Sequence, residues 1–82
     1  MMSNSDWIDG REAAKLMDIS IQTIRDYKRL GLIKIAAKKG NKDLYSKADL
    51  MRRHSIIGEK RKEGYNLSQI SSIIEGELRK IK

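Results

Sequence analysis

Three residues, Asp18-Ile19-Ser20, separate two short segments with apolar stripes, and no other feature of this 82-residue chain restricts its fold as much. The first segment, Gly10–Met17, carries Ala13, Ala14, Leu16 and Met17 on one face of a helix. The second follows Ser20, whose hydroxyl suits an N-cap, and its apolar residues Ile21, Ile24, Tyr27 and Leu30 step by three. Gly31 ends it, because glycine takes the left-handed conformation without a Cβ clash, and Leu32 is then placed to fold back over the last turn. So tight a turn, with apolar Ile19 wedged into it, makes a helix-turn-helix. Its second helix, residues 21–30, is the one offered to a DNA major groove.

The remaining elements follow from similar local signals. Residues 32–36 alternate poorly but, Lys34 apart, are aliphatic and in part β-branched, Asp43-Leu44-Tyr45 is a second extended piece, and Lys38-Lys39-Gly40-Asn41 reads as the turn between them. This predicts a two-stranded β-hairpin wing within residues 34–45. Ser46-Lys47-Ala48-Asp49 matches a capping box, predicting that the Ser46 hydroxyl and the Asp49 carboxylate each accept a backbone N–H at the start of a third helix. Leu50, His54, Ile57 and Arg61 form its face, flanked by Met51 and Ile56, and it ends at Gly64. Ser68 is the predicted cap of a fourth helix whose stripe is Ile70, Ile73, Ile74, Leu78 and Ile81. Trp7 is expected to plug the core over the first helix, His54 to pack in a partly buried position, and residues 1–5 to form a frayed terminus. The expected fold is mainly α: a single winged helix-turn-helix domain over residues 1–82, with four helices and the small wing.

Charge then selects among functions. Residues 25–42 hold seven basic side chains (Arg25, Lys28, Arg29, Lys34, Lys38, Lys39 and Lys42) against one acid, Asp26, a net +6 within a chain total of +7. Nearly all the excess positive charge thus lies on the second helix and the wing, as expected for a nucleic-acid footprint. A domain of this size buries only about 60% of its unfolded surface, which leaves little room for an enzyme cleft. No paired carboxylates, Ser-His-Asp ordering or phosphate-cradling Gly loop is apparent, so no catalytic residue and no cofactor is expected. Without Cys, and with His54 as the one histidine, no metal site is expected either. Apolar runs fall short of the roughly 20 residues of a membrane span, so no membrane partner is expected and the chain reads as cytoplasmic and nucleoid-associated.

Three segments resemble one known family. Ile19-Ser20-Ile21-Gln22-Thr23-Ile24-Arg25-Asp26-Tyr27-Lys28-Arg29-Leu30-Gly31-Leu32-Ile33 resembles the recognition segment of MerR-type winged helix-turn-helix regulators. Leu44-Tyr45-Ser46-Lys47-Ala48-Asp49-Leu50 is similar to that family's wing exit and third-helix start, and Gly64-Tyr65-Asn66-Leu67-Ser68-Gln69-Ile70 to the opening of its fourth helix. The resemblance implies double-stranded DNA as the partner, with helix 21–30 in the major groove and the wing on the backbone or minor groove. Two acids break the pattern: Asp26 stands where the family usually has a recognition-helix Tyr, and Asp43 where it usually has a wing Arg. The family's long dimerisation helix and effector domain have no counterpart here, so no small-molecule effector is expected.

Within that frame, Gln22, Thr23 and Arg25 are the expected base-facing group, with Gln22 suited to adenine and Arg25 to guanine. Lys28 and Arg29 flank the duplex backbone, and Tyr27 buries its ring while its hydroxyl reaches for a phosphate. In the wing Lys38, Lys39, Asn41 and Lys42 grip phosphates or enter the minor groove, with Tyr45 at the wing exit. The resemblance brings Arg52 or Arg53 to a phosphate as well. About five phosphates neutralised in this way give a log–log salt slope near −4.5. Two alternatives to a transcriptional regulator are a recombination or excision accessory factor and a protein-interaction module using the C-terminal helix; a weak homodimer through helix 68–82 belongs with the latter.

Overall fold

A computed structural model describes residues 6–80, so the expectations for residues 1–5 and for Ile81 lie outside the described residues. The first strand of the described residues, β1 (Trp7–Asp9), passes directly into helix α1 (Gly10–Met17). Asp9 caps this helix: its carboxylate accepts the Glu12 N–H at 3.0 Å while Glu12 reaches back to the Asp9 N–H at 3.4 Å. Asp18, left-handed at φ 57°, closes the helix, and the Ile19 N–H bonds back to the Ala14 carbonyl at 2.9 Å. Helix α2 (Ile21–Leu30) starts at once, with the Ser20 hydroxyl accepting the Thr23 N–H at 3.0 Å. The three-residue turn and its helix-turn-helix are as expected.

Only Ile24 and Tyr27 of the α2 stripe are buried; Ile21 and Leu30 are exposed. A step of three residues falls about 60° short of a full helical turn, so the three steps between these four residues wind across half the helix surface. Only the middle two can face one core. Gly31 ends α2 at φ 82°, and the Leu32 N–H bonds to the Tyr27 carbonyl at 2.8 Å, which drives Leu32 and Ile33 into the core. A Cβ at Gly31 meets nothing closer than the Ser71 hydroxyl at 3.6 Å, so an L-residue there suffers from backbone strain alone. Gly31→Ala should therefore cost about 1–2 kcal/mol. Gly58→Ala, in a helix interior with open space around it, should gain roughly 0.5–1 kcal/mol. Thermal unfolding followed by circular dichroism reads both, as shifts of opposite sign.

The wing differs from its expected form. Its strands are β2 (Ala37–Lys39) and β3 (Lys42–Ser46), joined by the two-residue turn Gly40-Asn41, whereas residues 32–36 lead into it as coil. β1 adds to its other side, giving a three-stranded antiparallel sheet in the order β1-β3-β2 rather than a two-stranded hairpin. Trp7 pairs with Ser46 and Ile8 with Tyr45. Trp7 consequently lies half-buried beside Ala37, Lys38, Lys39 and Leu44 under the wing, not over α1. Three residues are too few for a strand periodicity to register in sequence, and β1 has no partner until β3 is placed.

Helix α3 (Lys47–Lys62) forms only half of its expected capping box: the Ser46 hydroxyl accepts the Asp49 N–H at 3.2 Å, while the Asp49 carboxylate accepts from Arg53 Nε at 2.8 Å. Its buried face is Leu50, Arg53, Ile56 and Ile57, turned away from the expected one, so His54 and Met51 are exposed. The turn arises because a charged residue occupies an inward position. Helix α4 (Leu67–Lys80) is capped not by Ser68 but by Asn66, whose side chain accepts the Gln69 N–H while Gln69 accepts the Asn66 N–H, both at 2.8 Å. Ile70 and Ile74 are fully buried and Leu78 packs against the same core with Ile8, Leu16, Ile19 and Leu67. Much of the stripe considered for a homodimer thus serves the chain's own interior. No helix among the described residues is long and apolar enough to cross a membrane.

Candidate nucleic-acid interface

The β1–α1 junction, α2 and β3 enclose a cleft of about 530 Å³. Ile21 and Ile24 supply its apolar wall, Tyr45 its floor, and Arg11, Arg25, Lys28 and Lys42 its positive rim. Each position has a local cause. The Asp9 capping box sets the start of α1 and so places Arg11 in its first turn; the Ser20 cap sets the start of α2 and so places Arg25 one turn in; and the register of β3 against β1 turns Tyr45 inward, where it is 2% exposed. Burial pushes the Tyr45 hydroxyl above the ordinary tyrosine range, so it stays neutral at any physiological pH.

Asp43 also reaches the cleft, between helix and wing. Its carboxylate meets Lys28 Nζ at 2.8 Å and Lys38 Nζ at 3.7 Å, tying α2 to the hairpin. The hydrogen bond from Lys28 holds the Asp43 carboxyl below the usual carboxylate range, and the same bond raises Lys28. Both remain charged near neutrality, and the bridge persists there. Asp26 plays a similar part on the outer face of α2, where one of its oxygens accepts from Gln22 Nε2 and from Arg29 at 3.2 Å each. Lys34 pairs with Glu75 of α4 at 3.5 Å. Of the seven basic residues in the 25–42 stretch, only Arg25, Lys39 and Lys42 are in no ion pair among the described residues.

The structure brings Arg25, Lys28, Lys42 and Tyr45 together in the cleft, with Lys38 and Lys39 exposed on β2 and Asn41 exposed in the hairpin turn. Gln22 and Arg29 lie exposed on α2, restrained by Asp26. Thr23 is half-buried, its hydroxyl 2.9 Å from that of Ser20, and so serves the helix cap. Tyr27 buries its ring as expected. Arg52 is not near the cleft but in a separate groove between α3 and α4 with Glu59 and Glu77.

Arg53 is a correction. Its side chain is 5% exposed, and two of its three nitrogens are engaged: Nε with Asp49, and one terminal nitrogen with the Leu32 carbonyl at 3.2 Å and with Glu75 at 3.1 Å. It holds α3, α4 and the segment after α2 together, and its burial and these bonds make it a structural tie in place of the expected exposed phosphate contact. Conversely, sequence reasoning missed Arg11, which is exposed and in no ion pair among the described residues. The Asp9-Gly10-Arg11-Glu12 capping pattern was the available signal, since it fixes where the first turn begins.

A family model described as MerR HTH family regulatory protein matches residues 10–77 of the chain. A probable heavy metal-dependent transcriptional regulator from Haemophilus influenzae is 42% identical over 65 residues, a match covering 77% of this chain and 49% of that protein. The chain therefore spans about half the length of this curated relative. The crystal structure of a MerR-family transcriptional regulator from Bacillus cereus superposes with a TM-score of 0.69 at 27% identity, covering 90% of this chain and 60% of that one.

Proposed function

The chain belongs to the MerR HTH family of regulatory proteins, and from that premise we propose that it binds double-stranded DNA, laying α2 in the major groove and the β2–β3 wing along the neighbouring backbone or minor groove. The observation that carries this reading is the cleft between α2 and β3, where Arg11, Arg25 and Lys42 converge without acidic partners among the described residues. A duplex backbone satisfies those cations, while the exposed N-terminal half of α2 presents Gln22 and Arg25 to base edges. Regulation of transcription in the cytoplasm is the role this chemistry and the family support. The heavy-metal dependence named for the Haemophilus relative is not carried over. The chain has no cysteine and one histidine, and no group of three or more potential ligands among the described residues could hold a metal ion.

The ion pairs also revise the salt dependence. A lysine that leaves a carboxylate to meet a phosphate lets that carboxylate take up a cation, so its net contribution to counterion release is near zero. Arg11, Lys39 and Lys42 then remain as net contributors, Lys28 and Lys38 add one between them because they share the single Asp43 carboxylate, and with Arg25 kept for a base edge these four give a log–log slope near −3.6 in place of −4.5. Fluorescence anisotropy with a labelled duplex across a salt series measures it. A flat salt dependence, or no duplex binding at low salt, would sink the proposal.

A further inference from the structure

The acid at the wing gives this chain a property that a basic residue there would reverse. We propose that Asp43 is a positioning residue which, by engaging Lys28 and Lys38, keeps the sequence-independent part of DNA affinity low; this rests on the DNA reading above. The geometry is specific. One carboxylate oxygen lies 2.8 Å from Lys28 of the recognition helix and the other 3.7 Å from Lys38 of the wing, so one acid engages two cations on the two elements that flank the cleft and offsets one of their two charges. The Asp43 side chain is only 22% exposed and its carboxyl titrates below its ordinary range, so the pairs form with an ionised partner. Lys28 and Lys38 are themselves well exposed, at 40% and 65%, and among the described residues Asp43 alone pairs with them.

Backbone attraction carries no sequence information and governs how long a protein stays on any duplex. Restraining two cations shortens its stay on non-target DNA and leaves more of the discrimination to α2. The carboxylate also repels any phosphate that enters the cleft beside it. Both effects act in the same direction, and both vanish when the charge is removed.

The test is the salt dependence of binding to a random-sequence duplex by the wild-type protein, D43N and D43E. With the carboxylate gone, Lys28 and Lys38 contribute two charges where the shared acid left one, and the D43N slope should steepen by about 0.9, which at 0.1 M salt corresponds to roughly eight-fold tighter binding. D43E retains the charge and should return the wild-type slope. A D43N slope equal to that of the wild type, or weaker binding by D43N while its circular dichroism shows an intact fold, overturns the inference and makes Asp43 a latch for the wing alone. A D43N protein that does not fold is replaced by the pair K38Q and K38Q/D43N, between which a steepening of about 0.9 from Lys28 alone is required. Absence of salt-dependent binding by the wild-type protein overturns the DNA reading itself, and the inference with it.

Discussion

Arg25→Ala should reduce affinity for the preferred duplex by about 1–3 kcal/mol, roughly five- to 150-fold, while changing affinity for unrelated duplexes far less. Arg25 lies in the N-terminal half of α2, is exposed, and lines the cleft between helix and wing. It is in no ion pair among the described residues, although Asp26 is its neighbour in sequence, because Asp26 is turned to Gln22 and Arg29. An arginine so placed has its planar fork free for a guanine edge. Selection from randomised duplexes defines the preferred site, and titration of that site and of a scrambled one separates the two affinities. Lys42→Ala serves as the contrast: it should lower the salt slope by about 0.9 on both duplexes and leave their ratio unchanged. If Arg25→Ala behaves like Lys42→Ala, Arg25 contacts phosphate and base reading lies elsewhere on α2.

Arg53→Ala should have the largest effect on stability, about 2–3 kcal/mol, which for a domain of this size lowers the midpoint of thermal unfolding by roughly 10–20 °C. Its removal leaves the Leu32 carbonyl without this donor and sets Asp49 and Glu75 near each other with no cation between them. The two carboxylates keep 26% and 41% of their side-chain surface exposed, so water relieves part of the penalty that a fully buried pair would suffer. A signature in pH accompanies the loss. Burial alone would raise the Glu75 carboxyl, but Arg53 and Lys34 together hold it below the ordinary glutamate range. A group depressed in the folded state contributes stability above its unfolded value and loses it as pH falls through the folded one. Wild-type stability should therefore decline below the ordinary glutamate range, and that acid limb should be shallower in Arg53→Ala. The DNA salt slope of the variant, measured below its unfolding temperature, should match that of the wild type; a fall of about 0.9 would restore Arg53 as a phosphate contact.

The helix-turn-helix was legible because its determinants lie within a few residues of one another. Ser20 caps the residue three positions on, Gly31 turns left-handed at the end of the helix it follows, and Leu32 bonds back to Tyr27. The basic footprint was legible as composition, and the family segments placed it on α2 and the wing. Strand β1 was not legible, because a three-residue strand is defined by its partner and that partner lies some 37 positions away, as in the pairing of Ile8 with Tyr45. Arg53 was misplaced because charged residues are ordinarily read as outward-facing, and beyond Asp49 on its own helix it takes Glu75, 22 residues on, and the Leu32 carbonyl, 21 residues back, to make its inward position tolerable.

The sequence by itself determined the helices, their caps, the turn between α1 and α2 and the net charge of +7, all of which depend on residues close in the chain or on composition alone. Tertiary structure decided which cations are free. Lys28 and Lys38 meet Asp43 only because the wing folds against α2, Lys34 and Arg53 meet Glu75 only because α4 returns to the end of α2, and Arg11 joins the cleft only because β1 pairs with β3. A charge acts through distance and solvent exposure, and both are properties of the packed chain.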